Sequence, residues 1–230
     1  MKPLLLSLVL ALAATAATAA EPVRRIGVYV LPYYAAAADD GSRPQVAVGK
    51  SFDERLSRNE HEAIADVERS VRAAPELITP MTMMVLAIRL YDVGLRDKAV
   101  FWFYAAKDRY ATLAAVLDMS HPALAQVTQA TRDFALTAGP DLNGYAFCDL
   151  GRQARLRQEA LDWVEANPYR ALFVDALPAR PGDRAANLEA ALANLRRSVA
   201  QEREFLATPE AISRLTTARE ANHAAERYCW

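Results

Sequence analysis

Glycine is scarce in this chain: there are eight in 230 residues. None cluster, so no glycine-rich loop able to cradle a phosphate can be drawn. Histidine is scarcer still, with three residues. Glu60-His61-Glu62 lacks a second histidine four positions after His61, so the helical zinc-protease pattern is absent. An acidic, imidazole-bearing helix start reads more simply as a solvated first turn matched to the helix dipole. His121 stands beside Pro122 at a helix start and His223 lies on a polar C-terminal face, neither with a ligand-spaced neighbour. No Ser-His-Asp or Cys-His arrangement can be picked out, and no cofactor or metal is expected. Charge of one sign is also missing as a block. Lys and Arg number 27 against 28 Asp and Glu, for a net charge of −1. That balance argues against a nucleic-acid binder, which carries a basic face or stripe.

Long apolar runs are confined to the start. MKPLLLSLVLALAATAATAAEP opens with Lys2, continues with an apolar run from Leu4 to Ala14, and ends in small residues before Glu21. This is the layout of a secretory leader, with cleavage expected near Ala20. Its core is about 11 residues, short of the 20 or so that span a bilayer, which makes a retained anchor the weaker reading. Beyond it nothing is apolar enough to span. The expectation is a periplasmic or secreted chain without stable membrane insertion once the leader is removed.

The two cysteines, Cys148 and Cys229, form an even set in a chain bound for an oxidising compartment, so a disulfide is expected. It would tie the Arg227–Trp230 stretch to mid-chain and contribute on the order of 4 kcal/mol in the chain-entropy picture. Two separate buried thiols are the alternative, and Cys148 as a nucleophile is weaker than either.

After the leader, RRIGVYVLPYY alternates Ile26, Val28 and Val30, which is strand periodicity. Gln45–Val48 could pair with it as a hairpin, or residues 21–50 form an extended arm. From Ser51 onward everything reads helical. Ser57-Arg58-Asn59-Glu60 matches a capping box opening a helix to Ala74, with Ile64, Val67 and Val71 inward and the Glu68–Arg72 pair outside. Thr79-Pro80 opens a helix that stops at Gly94. A helix from Asp97 to Asp118 follows. Ser120 caps the next, which ends at Gly139-Pro140 before a loop at 141–144. Another helix closes at Asn167-Pro168. The proline-rich stretch 177–182 precedes an antiparallel helical hairpin over 183–226, whose first helix is opened by Asp183 and whose second, opened by Thr208-Pro209, turns Ile212, Leu215, Ala218 and Ala221 inward. The fold expected is all-α, a multi-helix bundle or tetratricopeptide-like array of about seven helices. Residues 51–230 would form one helical domain.

In the helix from Asp97 to Asp118, Phe101-Trp102-Phe103-Tyr104 places four aromatics in succession. Four consecutive positions sweep about 300° of a helical wheel, so no single stripe can bury them all. In the surrounding stretch, Leu86, Ala87 and Leu90 lead to Gly94, and Ala99, Phe103 and Ala106 follow. Residues 80–111 thereby resemble a tetratricopeptide or Sel1-like helix–turn–helix unit, with no clear second copy. AVFWFYAAKDRY and GPDLNGYAFCD are similar to segments of uncharacterised exported bacterial proteins, a resemblance that implies no activity. Under it Phe103 packs on the first helix, and an interior helix accounts for the other three aromatics. The alternative has Trp102 and Tyr104 line a groove for a peptide or hydrophobic ligand. The resemblance also implies a ligand-facing surface on the first helix at Met81, Met84, Ile88, Tyr91 and Asp92, unless other elements cover it.

The function expected is therefore a non-catalytic exported protein that binds a protein or peptide partner, with neutralisation of a periplasmic toxin as one form. The alternative is a hydrolase whose site is assembled from dispersed residues such as Glu60, His61 and His121.

Overall fold

The computed structural model describes residues 50–122 and 124–230. The expected leader, and the expected arm or hairpin apart from Lys50, which is helical, lie outside the described residues. Within them the fold is all-α, with nine α-helices, one short 3-10 turn and no strand.

Helix α1 (Lys50–Ser57) and α2 (His61–Ala73) meet at a tight turn. The expected capping box does not form there. Ser57 is the last residue of α1 and its hydroxyl donates to the Glu54 carbonyl at 2.7 Å. Burial of Phe52 and Leu56 extends α1 up to the turn, so tertiary packing overrides the local cap signal. Arg89 instead closes the end of α1, donating to the carbonyls of Leu56 and Arg58 and to the Asn59 side chain at 2.8, 2.9 and 2.6 Å. It thereby satisfies terminal carbonyls that a helix leaves open.

Helix α3 (Pro80–Asp92) begins as the sequence indicates, with the Thr79 hydroxyl accepting from the Thr82 amide at 3.0 Å and proline in the first turn. It ends at Gly94, whose φ of 84° lies in the left-handed region. The Leu95 amide then reaches back to the Leu90 carbonyl at 2.8 Å, a Schellman-type stop. Helix α4 (Arg96–Val116) returns antiparallel to α3. It is packed by α3 and by three further helices, α5 (Ala125–Ala146), α6 (Leu150–Ala166) and α7 (Arg184–Leu206). Neighbours on every side resolve the four aromatics: Phe101, Trp102, Phe103 and Tyr104 are 6, 0, 2 and 4% exposed. All four are core.

Helix α5 departs from the sequence reading at both ends. Ser120 does not cap it but bonds the Asp118 carboxylate, and the helix starts at Ala125. It then runs through Pro140 to Ala146, making the expected loop at 141–144 helical. Ala138, Leu142 and Ala146 are fully buried at successive turns, while Leu136 and Pro140 face outward. The bond that Pro140 cannot donate is lost on the solvent side, and burial of the opposite face outweighs it.

Asp149 caps α6 and Asp183 caps α7 through the Arg152 and Ala186 amides. Contacts of Arg155 with Asp97, Trp163 with Trp102, and Asn167 with Arg109 climb together, so α4 and α6 run parallel. Glu202 with Arg157 and Arg196 with Glu165 run the other way, making α7 antiparallel to α6. A 3-10 turn at Arg170–Phe173 joins them, and the following loop is pinned beside the end of α4 by a bridge between Leu117 and Ala179.

Helices α8 (Pro209–Ala221) and α9 (Ala224–Tyr228) end the chain. Thr208 caps α8 as expected, but the hairpin is loose. Ala211 is the buried residue of α8, whereas Ile212 is 42% exposed and Ala218 and Ala221 are exposed. Helix α8 touches α7 only sparsely. What holds this end is the Cys148–Cys229 disulfide, with Cα atoms 5.6 Å apart and a separation of 81 residues. Tyr228 also seats against Gly144, where an added Cβ would come within 2.6 Å of the ring.

Candidate functional site

The stripe Ile64, Val67 and Val71 sets α2 against the core and carries Glu68 and Arg72 into the contact with α4. The sequence reading placed this pair outside; Glu68 is in fact 3% exposed. Its carboxylate accepts from Lys98 Nζ at 2.5 Å, Arg72 Nε at 3.1 Å and Trp102 Nε1 at 3.2 Å. Burial by itself would push this carboxyl up; the donors from Lys98, Trp102 and Arg72 outweigh it and hold it below the usual carboxylate range. Two cations are thus anchored on one buried anion, each with its side chain nearly half exposed.

Beside them opens a cleft of about 450 Å³ between α2, α4 and α6. Phe101 and Trp163 form its aromatic wall, with ring centroids 6.3 Å apart in an edge-on arrangement. The Arg72 guanidinium lies 4.6 Å over the Phe101 ring, a cation–π contact that orients it. On the far side α6 presents Arg155, Glu159 and Asp162 at helical spacing. Arg155 pairs with Glu159 at 3.0 Å and with Asp97 at 3.8 Å. Both rims therefore carry mixed charge, Arg72, Lys98 and Asp97 from α2 and α4 and Arg155, Glu159 and Asp162 from α6, around an apolar aromatic wall. Such a site can bind an amphipathic chain by stacking and paired charges.

A second polar network lies deeper. Asp108 accepts both nitrogens of Arg157, and Arg157 also meets Glu202. Gln153 bridges the Tyr104 hydroxyl and Glu202 at 3.4 and 2.8 Å. Burial pushes the Asp108 carboxyl up against the opposing effect of Arg157. This network joins α4, α6 and α7 and does not line the cleft.

The residues expected to face a partner are not surface residues. Met81, Met84 and Ile88 are 0% exposed, and Tyr91 and Asp92 are 2 and 3%. Helices α1, α2, α4 and α5 all pack on α3 and leave it no open face. Trp102 and Tyr104 are buried as well; Trp102 stands behind the aromatic wall, which Phe101 and Trp163 form instead. Glu60, His61 and His121 are exposed and line neither this cleft nor the groove beside the disulfide. Among the described residues no cluster of His, Cys, Asp and Glu could hold a metal ion. The cleft residues escaped sequence reading because they come from three helices, and each has an ordinary surface-pair spacing. The one usable signal was a tryptophan, Trp163, on an otherwise charged helix.

Fold and cleft together define an all-α protein with a helical-hairpin core, a mixed-charge aromatic cleft and a disulfide-tied C-terminal segment. No helix among the described residues is long and apolar enough to cross a membrane. No family model matches the chain, and no solved structure matches it. It is 36% identical over 210 residues to an uncharacterised protein of Haemophilus influenzae, an alignment covering 91% of this chain and 81% of that protein. The chain belongs to the same family as that protein.

Proposed function

We propose that this is an exported, non-catalytic helical protein that binds a protein or peptide partner in the cleft between α2, α4 and α6. The observation that carries this reading is the cleft's composition. Phe101 and Trp163 stand among three cations, Arg72, Lys98 and Arg155, and three carboxylates, Asp97, Glu159 and Asp162. Interfaces enrich aromatic and arginine side chains in this way. The leader-like start and the cysteine pair support export, and the antiparallel α3–α4 hairpin supports the tetratricopeptide-like reading of residues 80–111. Toxin neutralisation is one form such binding would take.

The test uses the immobilised oxidised protein and a cell-envelope extract. Wild type should retain a discrete partner, and the Glu159→Arg, Asp162→Arg double variant should lose it at an unchanged melting temperature. Retention by the double variant would remove the cleft from the binding surface. Turnover of envelope peptides or esters by the purified chain would instead favour the hydrolase reading.

A further inference from the structure

The Cys148–Cys229 disulfide lies in an open groove of about 530 Å³ at the junction of α5, α6, α8 and α9. Arg219 of α8 reaches into it. Its Nη2 sits 3.2 Å from Cys148 Sγ and 3.1 Å from Cys229 Sγ, and its Nη1 donates to the Gly144 carbonyl at 3.1 Å. The guanidinium is therefore aimed by a backbone carbonyl at both sulfurs. A neutral disulfide is a weak acceptor and gains little from a cation. A thiolate gains much, because a charge-assisted contact forms as the anion appears and a neighbouring arginine lowers thiol pKa. The arrangement is complementary to the opened state of the bond rather than to the closed one.

We propose that Cys148–Cys229 is an exchange-competent disulfide, opened by an incoming thiolate at Cys229 while Cys148 leaves as a thiolate held by Arg219. Cys229 is the exposed partner and Cys148 is half-buried, which decides the point of attack. The attacking sulfur gives its electron pair to Cys229 Sγ and forms a mixed disulfide. The Cys148–Cys229 bond breaks, and its pair stays on Cys148. A second thiolate then attacks the incoming sulfur and releases Cys229. Two thiols leave as one disulfide, and the cysteine pair gains two electrons. The co-substrate is thus a thiol or dithiol. Glu220, His223 and Glu226 line the same groove, with Glu226 set 3.8 Å from the His223 imidazole. Asp149, next to Cys148, is turned to cap α6 through the Arg152 amide at 2.9 Å. Attack at the exposed Cys229 leaves the negative charge on Cys148, within reach of Arg219. Opening need not release the chain end, since Tyr228 remains seated at Gly144 and the Arg96 guanidinium lies 3.6 Å over the Trp230 ring.

The experiment reduces the protein with a phosphine and follows alkylation of each cysteine against pH by mass spectrometry. Exchange with glutathione is measured in parallel. Cys148 should titrate below the value of about 8.5 found for an ordinary thiol. Arg219→Ala should move it back toward the ordinary value and slow opening by glutathione about tenfold, since a poorer leaving thiolate departs more slowly. Arg219→Lys, which keeps the charge, should restore most of both. Ordinary titration of both thiols in wild type would overturn the proposal, as would a low value unchanged by Arg219→Ala. Loss of the near-ultraviolet circular dichroism on reduction would make the bond a purely structural tie and overturn it too.

Discussion

Arg109 offers the sharpest test of how this fold is held. It is a fully buried guanidinium whose described hydrogen bonds all end on backbone carbonyls. Nη1 donates to the carbonyls of Pro75 and Ile78 at 2.8 and 2.9 Å, and Nη2 to Asn167 at 2.5 Å. One side chain therefore closes the α2–α3 turn against the end of α6, with its face 4.7 Å from the Trp163 centroid. Burial lowers its pKa from 12.5 to about 10. At about 1.4 kcal/mol per unit, keeping the cation in place costs about 3 kcal/mol. Arg109→Ala would remove that cost but strip the Ile78 and Asn167 carbonyls of this donor, at about 1–3 kcal/mol each, leave Pro75 with the Ile78 amide alone, and empty the space beside Trp163. The second set of effects wins, by about 3–5 kcal/mol, the range seen when one side of a buried charged contact is deleted. For a chain of this size that lowers the melting temperature by roughly 10 °C. Urea unfolding followed by circular dichroism at neutral pH, with the disulfide intact, measures it. Arg109→Lys should recover only part, because one ammonium cannot span carbonyls on two elements as the planar fork does. A stability within about 0.5 kcal/mol of wild type for Arg109→Ala would refute the reasoning.

Phe103→Ala, at a site 2% exposed, should cost about 3–5 kcal/mol, while Leu136→Ala, at a site 66% exposed, should shift stability by less than about 0.5 kcal/mol; equal losses would place Phe103 outside the core. Glu68→Gln tests the buried carboxylate by pH. The folded pKa lies below the ordinary 4.5, so the unfolded chain binds the proton more readily and Glu68 contributes stability above that value, lost as pH falls through the folded pKa. The gap between wild type and Glu68→Gln should be widest at neutral pH and narrow as the pH falls below 4.5; a pH-independent gap would show that the carboxylate's ionisation does not stabilise the fold.

Local chemistry was legible wherever one residue does one job. Thr79-Pro80, Gly94, Asp183 and Thr208-Pro209 mark helix ends in the sequence and mark them in the structure. Each acts through its own backbone or the nearest amide, so no distant residue is needed to see it. Ser57, Ser120 and Pro140 carry equally clear signals and are overruled. For Ser57 and Pro140 a neighbouring apolar face, Leu56 or Ala138 and Leu142, is buried against another helix, and Ser120 is held by the Asp118 carboxylate instead. That burial is worth more than a cap or one missing hydrogen bond.

The candidate site follows the same division. The sequence by itself determined that the chain is helical, that it carries a leader-like start, that two cysteines are available to pair, and that Phe103 belongs inside. These rest on periodicity, composition and residue type, all local quantities. Only the tertiary structure decided that Met81, Met84, Ile88, Tyr91 and Asp92 are enclosed, and that Phe101 and Trp163, not Trp102, line the cleft. Only it set Glu68 under two cations and brought Arg219 against a disulfide 71 residues from one of its cysteines. Which side of an apolar helix meets solvent depends on how many neighbours surround it, and α3 and α4 each have at least four. Neighbour number is a property of the assembled bundle, and no single helix's sequence contains it.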